Sequence, residues 1–222
     1  MFVIACKFDE NNPIIFECVN AITTHHPGEE ICIVDSGSDN KSYFQKLPSS
    51  IHILDANNLN YSLEAYRIAY EHFPNTEYFY FIHDSLIIQQ NISFVKNDNL
   101  KTIRYWSYPP VEMGWDYDGS RISDWANNQM LTHLGYGVPD EYYGIFGPMF
   151  MCHRKVMDEL VESGLFNIKP TTKNQSCATE RICGIVLNKL GYDVRNSFQG
   201  YGGEIYDKYD ETFVKKIHLL RN

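Results

Sequence analysis

Residues 78–86 read YFYFIHDSL: five aromatic or apolar residues, then His83, Asp84 and Ser85. A run of this kind without helical period, following a helix-like segment, predicts a buried strand of a parallel sheet. In open α/β sheets, ligands bind beyond the carboxyl ends of the strands. An acidic side chain at such an exit suits a metal–phosphate complex, because Mg²⁺ and Mn²⁺ prefer carboxylate oxygens. The same Asp and Ser would also suit an ordinary turn at a strand end.

Around this run, strand and helix signals alternate. FVIAC (2–6) predicts a short buried strand, and Asn11, Asn12 and Pro13 predict the cap and first turn of a helix over 14–23. Residues 31–34 predict a second strand that empties into the small-residue loop DSGSDN. A short helix over 41–47, a third strand over 51–54 and a helix over 63–73 lead to the run at 78. That rhythm implies right-handed βαβ crossovers and a parallel sheet. The second half differs. Residues 105–146 are rich in Trp, Tyr, Gly, Pro and Asp with little periodicity. An apolar stretch at 145–152, helices over 154–164 and 178–190, a loop-like tail over 196–203 and a last apolar segment at 212–220 complete the chain.

At 222 residues and 44% apolar content, the composition is that of one α/β domain with a sizeable core. The 16 Tyr, 13 Phe and 3 Trp are enough to serve both a core and flat ligand faces. A net charge of −9 argues against non-specific nucleic-acid binding, and it requires a metal or helix N-termini to receive an anionic substrate. No stretch reaches the roughly 18 apolar residues of a membrane span, and Met1–Ile4 has no signal-peptide layout. With no CxxC pair, the six cysteines are expected to be reduced thiols, and a cytoplasmic location is expected.

Four segments carry a resemblance. IVDSGSDN (33–40) resembles the VDDGSTD segment of family 2 glycosyltransferases with the GT-A fold. Residues 57–86 resemble that family's Asn-led loop, Ala-containing helix, strand and DxD metal motif. YGIFGPMFMCHRKVMDELVESGLF (143–166) resembles its later Gly-rich strand, basic pair and helix ending in Gly-Phe. ATERICGIVLNKLGYDV (178–194) resembles its stretch from an acidic pair to Gly-Tyr. The resemblance implies a single Rossmann-like GT-A domain over 1–222 with a mostly parallel central sheet flanked by helices. Its nucleotide-sugar-binding half would be 1–100, its acceptor-binding half 101–195 and its C-terminal tail 196–222.

It further implies a nucleotide-sugar donor, a glycan or glycolipid acceptor, Mn²⁺ or Mg²⁺ on the diphosphate, and inverting transfer assisted by a carboxylate base. A leaving diphosphate accumulates negative charge that must be stabilised, and an attacking hydroxyl must lose its proton. Carried over by position, Asp35 falls on a nucleotide-contacting acid, and Ser36 stands where a second acid would be. Cys6 and Lys7, at the exit of the first strand, join Asp35 and Asp84 as donor-binding candidates. Glu180 falls on the catalytic base; without the family it reads as an acid near a helix N-terminus capped by Ser176 or Thr179.

At the metal motif, HDS stands in place of DxD. Asp84 and His83 are the candidate ligands, with His218 in VKKIHLLRN as a possible third. His83 also suits a structural role and His218 a helix face, while Lys215, Lys216 and Arg221 offer charge for the diphosphate without metal. In the aromatic middle, Trp115, Asp118, Tyr142 and Tyr143 are the acceptor-binding candidates; Asp116, Asp124, Asp140 and Glu141 lie near them in sequence. A degenerate GT-A domain that binds nucleotide or sugar without transfer is the alternative. No GxGxxG follows any strand, which disfavours a dehydrogenase, and ACKFDENNP (5–13) lacks the Gly-rich loop of a nucleotidyltransferase.

Overall fold

The computed structural model describes residues 1–57, 61–92, 99–108, 124–197 and 214–217. In chain order the first half holds β1 (Phe2–Cys6), α1 (Ile15–His25), β2 (Ile31–Asp35), β3 (His52–Asp55), α2 (Tyr61–His72), β4 (Tyr78–His83) and β5 (Leu86–Ile88). The second half holds β6 (Leu100–Thr102), β7 (Tyr105–Tyr108), α3 (Asp124–Leu134), β8 (Tyr142–Ile145), β9 (Phe150–His153), α4 (Arg154–Glu162), α5 (Lys173–Lys189) and β10 (Val214–Lys216).

The fold is mixed α/β, with a six-stranded sheet in the order β3-β2-β1-β4-β9-β6. The first four strands run parallel, as their apolar runs predict. β9 is antiparallel to β4, pairing Phe81 with Phe150 and Tyr78 with His153, and β6 is antiparallel to β9. Both halves of the chain therefore share one sheet. β7 pairs with β8, and β10 with β5, each as a separate antiparallel ribbon.

Alternation along the strands divides the core into two layers. Val3, Ala5, Phe79 and Phe81 face α2, α4 and α5, whereas Phe2, Ile4, Tyr80 and Ile82 face α1 and β5. Helix α1 fits its side of the sheet because Ile15, Cys18, Val19 and Ile22 recur at helical spacing and are all buried. Asn11 and Asn12 do not cap it, contrary to expectation; the residue at its N-cap is Ile14, which makes no side-chain cap bond. On the other side, buried Glu64 of α2 ties that helix to the segment before α5 by accepting from Lys169 Nζ at 2.7 Å, and it also pairs with Arg67 at 2.6 Å.

Burial opposes ionisation of Glu64, but the hydrogen bonds from Arg67 and Lys169 outweigh it and hold its carboxyl below the usual range. A depressed folded-state pKa adds stability above the unfolded value, and that stability disappears as pH falls through the folded value. Unfolding free energy should therefore drop with acidification below the ordinary glutamate range. The drop should be shallower in Glu64→Gln, as read from denaturant midpoints at several pH values. Parallel curves for the two proteins would remove Glu64 from the account.

Two boundaries differ from expectation. Helix α5 begins at Lys173, five residues earlier than predicted, because Thr172 caps it by accepting from Gln175 N at 3.2 Å. The aromatic middle, which shows no period in sequence, contains β7 and β8 and the weakly amphipathic α3.

Candidate functional site

The exits of β1, β2 and β4 lie side by side. Cys6 pairs with Asp35 and Ala5 with His83, while Ser36 N donates to Cys6 O at 2.7 Å and Asp84 N to Ala5 O at 3.2 Å. Asp84 and Asp35 thus flank Cys6, both buried, with Lys7 exposed just beyond. The Cys6 thiol accepts from Tyr43 Oη at 3.7 Å. Burial, followed by the charge of Asp84, pushes this thiol well above its ordinary pKa, so Cys6 is a neutral wall of the site and no nucleophile.

Asp35 spends its oxygens on its own loop. Its carboxylate accepts from Ser38 N at 3.3 Å, from the Ser38 hydroxyl and from Tyr43 Oη at 3.3 Å, and Lys41 Nζ stands 3.8 Å away. Ser38 Oγ in turn accepts from Phe8 N at 2.7 Å, and the Phe8 ring stacks on Tyr43 with centroids 4.3 Å apart. In this arrangement the carboxylate orders the loop over 36–43 and does not meet solvent. Lys41 also pairs with Asp55.

His83 is half-buried and packs against the turn between β8 and β9. Gly147 has φ +60°, and a Cβ there would come within 2.8 Å of the imidazole Cε1. Only glycine combines that backbone conformation with so close an approach. The chemistry of Asp84 and His83, one carboxylate and one imidazole, suits Mn²⁺ or Mg²⁺ held with substrate phosphates and water. Among the described residues there is no group of three His, Cys, Asp or Glu side chains arranged to hold a metal. His218, the expected third ligand, lies outside the described residues. β10 and Ile217, immediately before it, run along β5, with Ile217 N donating to Ser85 O at 2.9 Å.

Glu180 does not cap a helix. With α5 starting at Lys173 it sits in the interior of the helix, half-buried, and the reading of it as an N-terminal acid is overturned. It lies one turn before Gly184, where α5 presses on β8: a Cβ at Gly184 would fall on the Tyr143 carbonyl oxygen and 2.8 Å from Gly144 Cα. Thr179, buried beside it, donates to Ser176 O at 2.6 Å. What relates Glu180 to Asp84 is Tyr66 of α2, whose fully buried phenol feels the charge of both carboxylates.

Of the acceptor candidates, Tyr142 and Tyr143 are half-buried on β8. The Tyr143 ring is flanked by Tyr105, edge-on at 6.0 Å, and by the Arg195 guanidinium at 5.2 Å. Trp115 and Asp118 lie outside the described residues, as does Asp116, whereas Asp140 and Glu141 are exposed just before β8. A cavity of about 590 Å³ lined by Met1, Glu29, Glu30, His72 and Tyr78 opens at the opposite, amino-terminal end of β1 and β4. None of the carboxylates discussed above reaches it.

Sequence reasoning missed Tyr66 and Arg104. Tyr66 looks like any aromatic on the inner face of a helix. Buried Arg104 follows β6 and its carbonyl accepts from Phe146 N at 3.0 Å, beside the Gly147 turn. A lone Arg between two short strands gives no local cue.

No protein-family model matches the chain, so the family 2 resemblance has no independent support, and no curated protein matches it in sequence. Among solved structures, an active-site mutant of LgtC is similar with a TM-score of 0.43 and 10% identity, covering 81% of this chain and 69% of that one. The galactosyltransferase LgtC in complex with donor and acceptor sugar analogues is similar with a TM-score of 0.41 and 10% identity, covering 83% and 72%. A likeness of that size is one of outline alone. No helix among the described residues is long and apolar enough to cross a membrane.

Proposed function

We propose that this chain is a glycosyltransferase of the GT-A type, moving a sugar from a nucleoside-diphosphate donor to a hydroxyl of a glycan or glycolipid with inversion. The observation that supports the reading is the row of exits of β1, β2 and β4, which sets Cys6, Asp35 and Asp84 side by side at the carboxyl ends of the parallel strands, where an α/β sheet binds its ligand. The donor lies across the exits of β1, β2 and β4, and the loop over 36–43, held by Asp35, forms one wall. Glu180 removes the acceptor hydroxyl's proton as its oxygen bonds to the anomeric carbon. The bond from that carbon to the diphosphate oxygen breaks, and the nucleoside diphosphate leaves. Asp84 and His83 are the residues that would hold Mn²⁺ or Mg²⁺, whose contribution is to neutralise charge on the leaving diphosphate. Tyr142 and Tyr143, with Trp115 and Asp118, are assigned to the acceptor side.

Calorimetry against UDP, GDP and dTDP sugars, with Mn²⁺ and with EDTA, tests this reading. Absence of binding by all of them at millimolar concentration would remove its basis. Asp84→Ala should weaken Mn²⁺-dependent donor binding by about 2 kcal/mol or more, the cost of losing a charged ligand of a bound cation. If no metal is involved, the sign changes. Deleting a carboxylate beside a diphosphate would leave affinity unchanged or improved, and EDTA would have no effect. The replacement of both outer DxD acids by His83 and Ser85 favours one other reading, a domain that binds nucleotide without transfer. That reading predicts donor binding with no product at any acceptor concentration.

A further inference from the structure

His26 closes α1 at its carboxyl end and is only 6% exposed. Its ring lies edge-on against Phe2 of β1 at 4.9 Å and tilted toward Tyr80 of β4 at 6.1 Å. The imidazole Nε2 accepts from Ile92 N at 3.1 Å. One residue earlier in both segments, Asn91 Nδ2 donates to the His25 carbonyl oxygen at 3.0 Å. Residues 91–92 are the chain leaving β5, so these two bonds fasten that segment to the end of α1. Ile92 is buried in the same layer as Ile22 of α1 and Ile87 and Ile88 of β5.

An imidazole nitrogen that accepts an amide proton carries none of its own, so the proton of neutral His26 sits on Nδ1. Adding a proton to Nε2 sets two donors face to face, and the bond to Ile92 must break. Burial foremost lowers the pKa of His26, with His25 and the Met1 ammonium acting in the same direction and Glu29 opposing them. From β4 the titratable group facing the ring is the Tyr80 phenol, and Asn91 brings no charge. The carbonyl end of α1 favours a cation, but the net direction is downward. A lowered folded-state pKa means that the neutral ring contributes its full stability above the ordinary histidine value of about 6.5. That contribution declines as pH falls from there toward the folded value.

We propose that His26 is an acid-sensitive latch: its neutral imidazole holds residues 91–92 against α1, and its protonation frees the chain leaving β5. The latch is independent of the glycosyltransferase reading, because it lies on α1 and uses none of the groups assigned to donor, metal or acceptor.

Amide hydrogen exchange on the full chain, corrected for the pH dependence of intrinsic exchange, tests the release. Protection at Ile92 should fall by about tenfold between about pH 7.5 and about pH 5.5, because the latched ring cannot take the proton and the released one can. A fall of less than about twofold overturns the latch. His26→Gln places an uncharged acceptor at similar reach, so its Ile92 protection should stay within about twofold across the same range. An equal fall in that variant would place the pH response elsewhere and overturn the proposal. Nitrogen NMR of the wild-type imidazole above about pH 7.5 needs no variant. It should find the Nδ1–H tautomer, and an Nε2–H tautomer would remove the bond on which the latch depends.

Discussion

Glu180→Gln is expected to lower sugar transfer by about 10²–10⁴-fold while leaving donor affinity within about twofold of the wild type. The substitution keeps the shape of the side chain and removes only its ability to take a proton. Its position makes the test clean: Glu180 lies within α5, beyond the cap that Thr172 supplies, so the change leaves the helix terminus untouched. Donor contacts are assigned to the exits of β1, β2 and β4, on elements other than α5, which is why kcat and donor Kd should separate. A rate loss below about threefold would transfer the base role to Asp140, Glu141 or Asp118. An equal loss in donor binding would make Glu180 part of the donor pocket.

The second large effect is structural. Gly184→Ala should destabilise the protein by about 3 kcal/mol or more, because the added methyl group meets main chain and no flexible side-chain end. The methyl would fall on the Tyr143 carbonyl oxygen and within 2.9 Å of its carbon, so β8 or α5 must move. A movement of α5 also displaces Glu180, one turn earlier, and a movement of β8 displaces Tyr142 and Tyr143, so transfer should fall in the folded fraction that remains. For a chain of this size each kcal/mol is worth about 2–4 °C, so the melting temperature should fall by about 6–12 °C. A fall of less than about 2 °C would mean that the helix–strand contact is looser than described.

Much of the first half was legible in the sequence because three of the four parallel strands, β1, β2 and β4, are apolar runs buried on both faces. FVIAC, ICIV and YFYFI announce themselves, and α1 follows from its spacing. Direction was not legible. FMCH of β9 has the same composition as a parallel strand, and nothing local states that it enters the sheet reversed beside β4. The start of α5 was hidden by its polar first turns, KNQS, although Thr172 followed three residues later by Gln175 is the pattern of a capping box. At the site, Asp84 and Glu180 became candidates through motif position. The occupation of Asp35 by its own loop depends on Ser38 and Tyr43 folding back onto it. Contacts of that kind leave no trace in periodicity.

The reversed entry of β9 bears on how the most aromatic edge of the sheet is covered. β4 is the most aromatic strand of the sheet, and β1 covers only one of its edges. The other edge is closed by residues 150–153, supplied some seventy positions later in the chain. Until that segment arrives, the nascent first half presents an open row of amide and carbonyl groups on an apolar ribbon, the template on which chains add to one another. The aromatic middle is thus a delay between making a sticky edge and sealing it. A fragment ending near residue 100 would retain every parallel strand and lose the seal.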